Sequence, residues 1–183
     1  MRVLFIGNSF TARNDVPGLI AAIAHERGVP FEHRLIWAGG ASLKRHWNAG
    51  EAREALAAAR WDIVVLQEQS TLPIKNAERF YEGVELFAAP IRAAGARMAL
   101  YMTWARLHAL DTQEALTDAY LNAGYAFDAR VVPVGEAWMR YGATADLAAL
   151  YDKDGSHPSL AGSMLAAEVF GAVLFDGLTA SSS

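Results

Sequence analysis

Short apolar runs alternate with helical patterns along the whole chain, and this alternation limits the possible folds more than any other feature. Arg2–Ile6 (RVLFI), Phe31–Trp37 (FEHRLIW), Ile63–Leu66 (IVVL), Arg97–Thr103 (RMALYMT) and Arg130–Val134 (RVVPV) read as strands. Asp15–Arg27, Glu51–Arg60, Asn76–Ala94, Thr112–Ala126, Gly135–Tyr141 and Ser159–Phe175 read as the helices between and after them. Strand–helix alternation predicts an α/β fold, a five-stranded parallel sheet with helices on both faces. No linker or repeat divides the chain, so one domain is expected over 1–183, with 177–183 (GLTASSS) as a frayed tail. Pro90 is expected to kink or split its helix, and Pro133 to mark a sheet edge or the end of its strand.

Composition narrows the function. Sixteen basic against twenty acidic residues give a net charge of −4, which argues against a nucleic-acid partner. The chain has no cysteine, so a disulfide, a thiolate metal site and a cysteine nucleophile are excluded. Five apolar residues precede Gly7, too few for a secretory h-region, and no run approaches a membrane span. A cytoplasmic protein with no membrane association is the expectation. His25, His33, His46 and His108 are scattered without ligand spacing, so no metal is expected.

In an open α/β sheet, ligands bind beyond the C-terminal ends of the strands. Gly7-Asn8-Ser9 follows the first strand, Gly39-Gly40-Ala41-Ser42 the second, Gln67-Glu68-Gln69-Ser70 the third and Thr103-Trp104-Ala105-Arg106 the fourth. Asp154-Gly155-Ser156-His157-Pro158 precedes the last helix. A serine attacks an acyl carbon only when a base takes its proton and a third group fixes that base. Ser9, His157 and Asp154 are the candidates for these three roles, with Pro158 expected at the first position of the final helix. The oxyanion that develops needs donors aimed at it. The Ser9 N–H and the Gly40 N–H are two candidates, and the side-chain amide of Gln67 or Gln69 is a third. Trp104 and Arg106 are candidates for the pocket lining. Asn14 and Asp15 are candidates for shaping the loop over Ser9, but the preferred reading is a helix cap ahead of Pro17.

GNSF after the first strand, Gly-Gly after the second, an amide after the third and D-x-x-H-P before the last helix resemble the SGNH hydrolases, the GDSL-like esterase superfamily. GNSFTARNDVPG is similar to a branch in which GNS replaces GDS. The resemblance covers essentially the whole chain. It implies a flavodoxin-like three-layer α/β/α sandwich that hydrolyses esters without metal or cofactor. By position it implies Ser9 as nucleophile, Gly40 as second oxyanion donor, Asp154 as orienting acid and His157 as base. The family's third block usually carries Gly-x-Asn-Asp, whereas VVLQEQST stands here. Some sugar-ester-cleaving members resemble this with a glutamine, which favours Gln67 as third donor, with Gln69 second. Asn8 replaces the usual Asp of the first block. The substrate implied is a small-molecule ester, with short acyl groups such as acetyl on a sugar as the first expectation.

A different class fits the same fold, a non-catalytic flavin or nucleotide binder using Ser9, Thr11 and the first helix N-terminus for phosphate. It leaves Asp154 and His157 without purpose, and no G-x-G-x-x-G or P-loop lysine is present.

Overall fold

A computed structural model describes residues 1–176, and the tail expected at 177–183 lies outside the described residues. The strands are β1 (Arg2–Gly7), β2 (Glu32–Trp37), β3 (Ile63–Leu66), β4 (Arg97–Met102) and β5 (Arg130–Pro133). They form one parallel sheet in the order β2-β1-β3-β4-β5. This is the flavodoxin-like order, and the direction in which successive strands are added reverses between β1 and β3. Pro133 is the last residue of the edge strand β5, where its missing N–H costs no ladder bond.

The helices are α1 (Ser9–Ala12), α2 (Val16–Glu26), α3 (Leu43–Ala49), α4 (Glu51–Ala58), α5 (Leu72–Lys75), α6 (Ala77–Ala93), α7 (Gln113–Phe127), α8 (Val134–Gly142) and α9 (Leu160–Leu174). Among the described residues, none is long and apolar enough to cross a membrane. Alternate side chains of each strand enter opposite layers. Val3, Phe5, Ile63, Val65 and Tyr101 pack with Ile20 of α2, Trp138 of α8 and Phe170 of α9. Leu4, Ile6, Val64, Leu66 and Leu100 pack with Leu43 of α3, Leu56 of α4, Phe80 and Phe87 of α6 and Tyr120 of α7. The central strands are covered on both faces, which is why β1, β3 and β4 read as nearly unbroken apolar runs, while the edge strand β2 keeps an exposed Glu-His-Arg start. Each large side chain buried in these layers contributes about 1.5–3 kcal/mol.

Two expectations are corrected. Pro90 does not split α6: the helix runs unbroken from Ala77 to Ala93. The proline falls in the last turn, where it removes only one ladder bond, and the buried Val84, Phe87 and Ile91 hold the helix to the sheet. Pro158 does not open the last helix. Ser159 is its N-cap, accepting from the Gly162 N–H, and Pro158 instead pairs in an antiparallel bridge with Tyr151. One helix, α3, went unread between Gly40 and Gly50. Gly50 has φ +89° and separates α3 from α4, so two short helices turn sharply where one was expected.

Candidate active site

β1 delivers its C-terminal end to the sheet's upper edge, and α1 starts there. Asn8 caps α1 by accepting the Phe10 N–H at 3.0 Å, and its Nδ2 donates to the Ala41 carbonyl at 3.1 Å. An asparagine does both, whereas an aspartate would only accept. Ser9 is the first helical residue, half-buried, and its N–H has no protein acceptor among the described residues. The first N–H groups of a helix lack intrahelical partners, so this donor points outward at a place that favours negative charge.

Ser9 Oγ lies 2.9 Å from His157 Nε2, and His157 Nδ1 lies 2.6 Å from Asp154 Oδ2. The other Asp154 oxygen accepts the N–H groups of Ser156 and His157, each at 2.9 Å. The His157 side-chain hydrogen bond, aided by these two N–H groups, holds the Asp154 carboxyl well below the usual carboxylate range. An ionised Asp154 accepts a hydrogen bond from the Nδ1–H, which keeps the proton on Nδ1 and leaves Nε2 free to accept from Ser9.

The loop carrying this pair is fastened from several sides. The Trp104 indole N–H donates to the Ser156 carbonyl at 3.0 Å, and the Leu107 N–H donates to Gly155 at 2.9 Å. Gly155 has φ +63°, which suits glycine at this tight turn. The Asn14 amide donates to the Pro158 carbonyl at 3.3 Å and to Ser163 Oγ at 3.0 Å. Asn14 therefore ties α1 to the loop, while Asp15 caps α2 as expected by accepting the Gly18 N–H. Phe10 packs on the His157 ring at 5.2 Å and on Trp104 at 5.0 Å.

After β2, Ala38 to Ala41 form a turn closed by the Ala41 N–H on the Ala38 carbonyl at 3.1 Å. Gly40 sits at its third position with φ +60°, as a type II turn requires. It is exposed, a Cβ there would meet nothing within 4 Å, and its N–H has no acceptor among the described residues.

Gln67 is placed in the interior. It is 0% exposed. Its Oε1 accepts the Asn8 N–H at 2.8 Å and the Thr11 hydroxyl at 2.9 Å, and its Nε2 donates to the Glu68 carbonyl at 2.5 Å. The amide is turned inward and used at both ends, so it braces the backbone before Ser9 rather than facing a ligand. The same bond spends the Thr11 hydroxyl, which the phosphate-binding reading needed. Gln69 is half-buried; its Oε1 accepts from the Thr71 N–H and hydroxyl at 2.9 and 3.1 Å, while its Nε2 has no protein acceptor among the described residues. Trp104 faces the core. At 1% exposure it stacks on Trp138 with centroids 3.8 Å apart and planes within 7°, so it supports the Asp154–His157 loop from the core. Arg106 is half-buried beside a cavity of about 170 Å³.

Glu68 was missed. A lone acid between two glutamines gives no sequence signal of burial, yet its carboxylate is 0% exposed and accepts the N–H groups of Leu43 and Gln69. For Asn14 the cap reading was preferred to a loop-shaping role, because the partners it ties lie 144 and 149 residues away. Among the described residues, no three His, Asp or Glu side chains converge as a metal site would require.

No family model matches the chain, and no curated protein matches it. Solved structures do. A protein of Slackia heliotrinireducens assigned to the SGNH hydrolases is 29% identical with TM-score 0.82, over 95% of this chain and 98% of that one. The lipase/acylhydrolase of Enterococcus faecalis shares the fold at 16% identity and TM-score 0.77, with both chains fully covered. The acetylxylan esterase Axe2 of Geobacillus stearothermophilus shares it at 20% identity and TM-score 0.70, over 92% and 91% of the two chains.

Proposed function

We propose that this chain is a carboxylic ester hydrolase of the SGNH type, like the protein of Slackia heliotrinireducens whose fold it shares, working through Ser9, His157 and Asp154. The observation that carries this reading is the unbroken chain from Ser9 Oγ to His157 at 2.9 Å and on to Asp154 at 2.6 Å. His157 Nε2 takes the Ser9 proton as Oγ bonds to the acyl carbon. The carbonyl π electrons move to oxygen, and that oxyanion is met by the N–H groups of Ser9 and Gly40, with Gln69 Nε2 as third donor. His157 then returns the proton to the departing alcohol oxygen as its bond to carbon breaks. Water, deprotonated by His157, attacks the acyl-enzyme; the acid leaves and Ser9 recovers its proton.

The acyl group in this reading is small, acetyl on a carbohydrate. Two observations support it: the acetylxylan esterase shares the fold, and Trp37, the last residue of β2, is 54% exposed beside the Gly39–Gly40 turn, offering a flat apolar face to a sugar ring. The test is hydrolysis of p-nitrophenyl acetate by wild type and Ser9→Ala, with circular dichroism as the folding control. The expected result is a loss of about a thousandfold or more in kcat in a folded variant. Equal rates in the two proteins would remove Ser9 from the mechanism.

A further inference from the structure

Next to the Gly40 turn lies a cavity of about 530 Å³, of whose lining the acyl-transfer steps use Gln69 alone. Ser42, Lys44, Arg45 and Asn48 line it from the start of α3, Gln69 from the loop after β3, and Arg79 from the first turn of α6. It adjoins the candidate site at two places. Ser42 follows Ala41, whose carbonyl is bonded by the residue before Ser9, and Gln69 is the proposed third oxyanion donor.

Three of the lining side chains are cations and none is an acid. Lys44 is paired with Glu82 at 2.9 Å. Arg45 donates to the Gly39 carbonyl at 3.3 Å and has no ion pair among the described residues. The Arg79 guanidinium has neither a hydrogen-bond partner nor an ion pair among them. Two exposed guanidinium groups without an ion pair among the described residues thus line one cavity in a chain of net charge −4. The overall field of such a chain repels anions, so this local reversal of sign acts as a selective feature beside the reacting centre. Guanidinium groups match a carboxylate in shape, accepting it through paired N–H donors.

We propose that this cavity binds a carboxylate carried by the substrate, so that the ester hydrolysed is anionic. The inference rests on the serine-esterase reading. With acetyl as the acyl group, the carboxylate belongs to the alcohol, and the substrate class is an O-acetylated acidic sugar such as a uronic acid.

The test compares kcat/KM for a methyl glucuronide and a methyl glucoside acetylated at the same hydroxyl. Wild type is expected to favour the charged ester by about tenfold or more, mainly through KM. The preference shrinks in high salt. In Arg79→Gln, and further in the Arg45→Gln/Arg79→Gln double variant, the ratio falls toward one, while Arg79→Lys keeps part of it. A preference that survives loss of both arginines, or a wild-type ratio near one both here and on the second pair below, overturns the proposal. Monoethyl succinate against ethyl valerate is the second pair. A preference there and not on the sugars keeps the carboxylate subsite but overturns the acidic-sugar assignment. Calorimetric titration of Ser9→Ala with methyl glucuronide separates the two readings. Saturable binding that Arg79→Gln abolishes supports the subsite whether or not any ester is cleaved. No binding overturns it, while Ser9-dependent hydrolysis of p-nitrophenyl acetate leaves the esterase reading standing.

Discussion

The Glu68 carboxylate receives the Leu43 backbone N–H, at 3.2 Å on one oxygen and 3.3 Å on the other. One of those oxygens also accepts the Gln69 N–H at 2.6 Å. A single buried side chain therefore joins the start of α3, directly after the Gly40 turn, to the loop that presents Gln69. Gly83 of α6 makes room for it, since a Cβ there would stand 3.0 Å from the Glu68 Oε2. Both candidate oxyanion elements outside α1 are thus positioned from one point in the core.

Burial pushes the Glu68 carboxyl from 4.5 up to about 7, against the opposing pull of the Gln69 and Leu43 N–H groups. The folded state then binds more protons than the unfolded state between these values. Stability is fully supported by this group below about pH 4.5, falls as pH rises toward 7, and levels off above it. The full change is roughly 3 kcal/mol. Urea denaturation across pH 4.5–8 should show this decline in wild type and a flatter profile in Glu68→Gln. Identical slopes in the two proteins would exclude Glu68 as the source.

Asn8→Asp substitutes the residue that the resembled motif usually carries. The cap to the Phe10 N–H survives, but a carboxylate oxygen replaces the donor that bonds the Ala41 carbonyl, at a site 2% exposed. Two acceptors then face each other out of water. A loss of about 1–3 kcal/mol is expected, together with a lower kcat/KM as the Gly40 turn loosens. A variant with the melting temperature and kinetics of wild type would show that the Asn8–Ala41 bond holds nothing in place.

The sheet was legible because its strands are doubly buried. Val3 to Ile6 and Ile63 to Leu66 present apolar side chains to both layers, and no amphipathic helix imitates that. The polar groups that gather at its upper edge could also be read, since strand ends in a parallel sheet share one edge. What each amide does there could not. Gln67 and Gln69 are equivalent on paper; they differ because Gly7 leaves space into which Gln67 folds, toward Asn8 and Thr11. Trp104 reads equally as pocket or core, and only the flat stack on Trp138, which is 34 residues further along, decides it. α3 was hidden by its composition, LKRHWNA, in which just Leu43 and His46 are buried.

Asp154→Asn tests the orientation of His157. The asparagine oxygen can still accept the N–H groups of Ser156 and His157, so the loop should keep its shape. Its amide nitrogen, however, would face Nδ1 as a donor. The imidazole then carries its proton on Nε2, pointing at Ser9, and has nothing with which to take the serine proton. A fall in kcat of about 10³–10⁴ is expected with little change in melting temperature. A variant retaining a tenth or more of wild-type kcat would remove Asp154 from the orienting role.

Gly7→Ala tests how the backbone ahead of Ser9 is braced. A Cβ on Gly7 would stand 2.7 Å from the Gln67 Oε1 and 2.7 Å from the Thr11 hydroxyl. The new methyl must displace the Gln67 amide from the Asn8 N–H or push β1 out of register with β3. Overpacking of this kind costs about 1–3 kcal/mol. Gln67→Ala alone is also destabilising, because it leaves the Asn8 N–H and the Thr11 hydroxyl buried without an acceptor. In the double variant the methyl enters space that the amide has vacated, so the two losses should sum to more than the double variant shows. Denaturant titration of the four proteins measures that coupling. Additive losses would mean that Gly7 is required by something other than the Gln67 side chain folded over it.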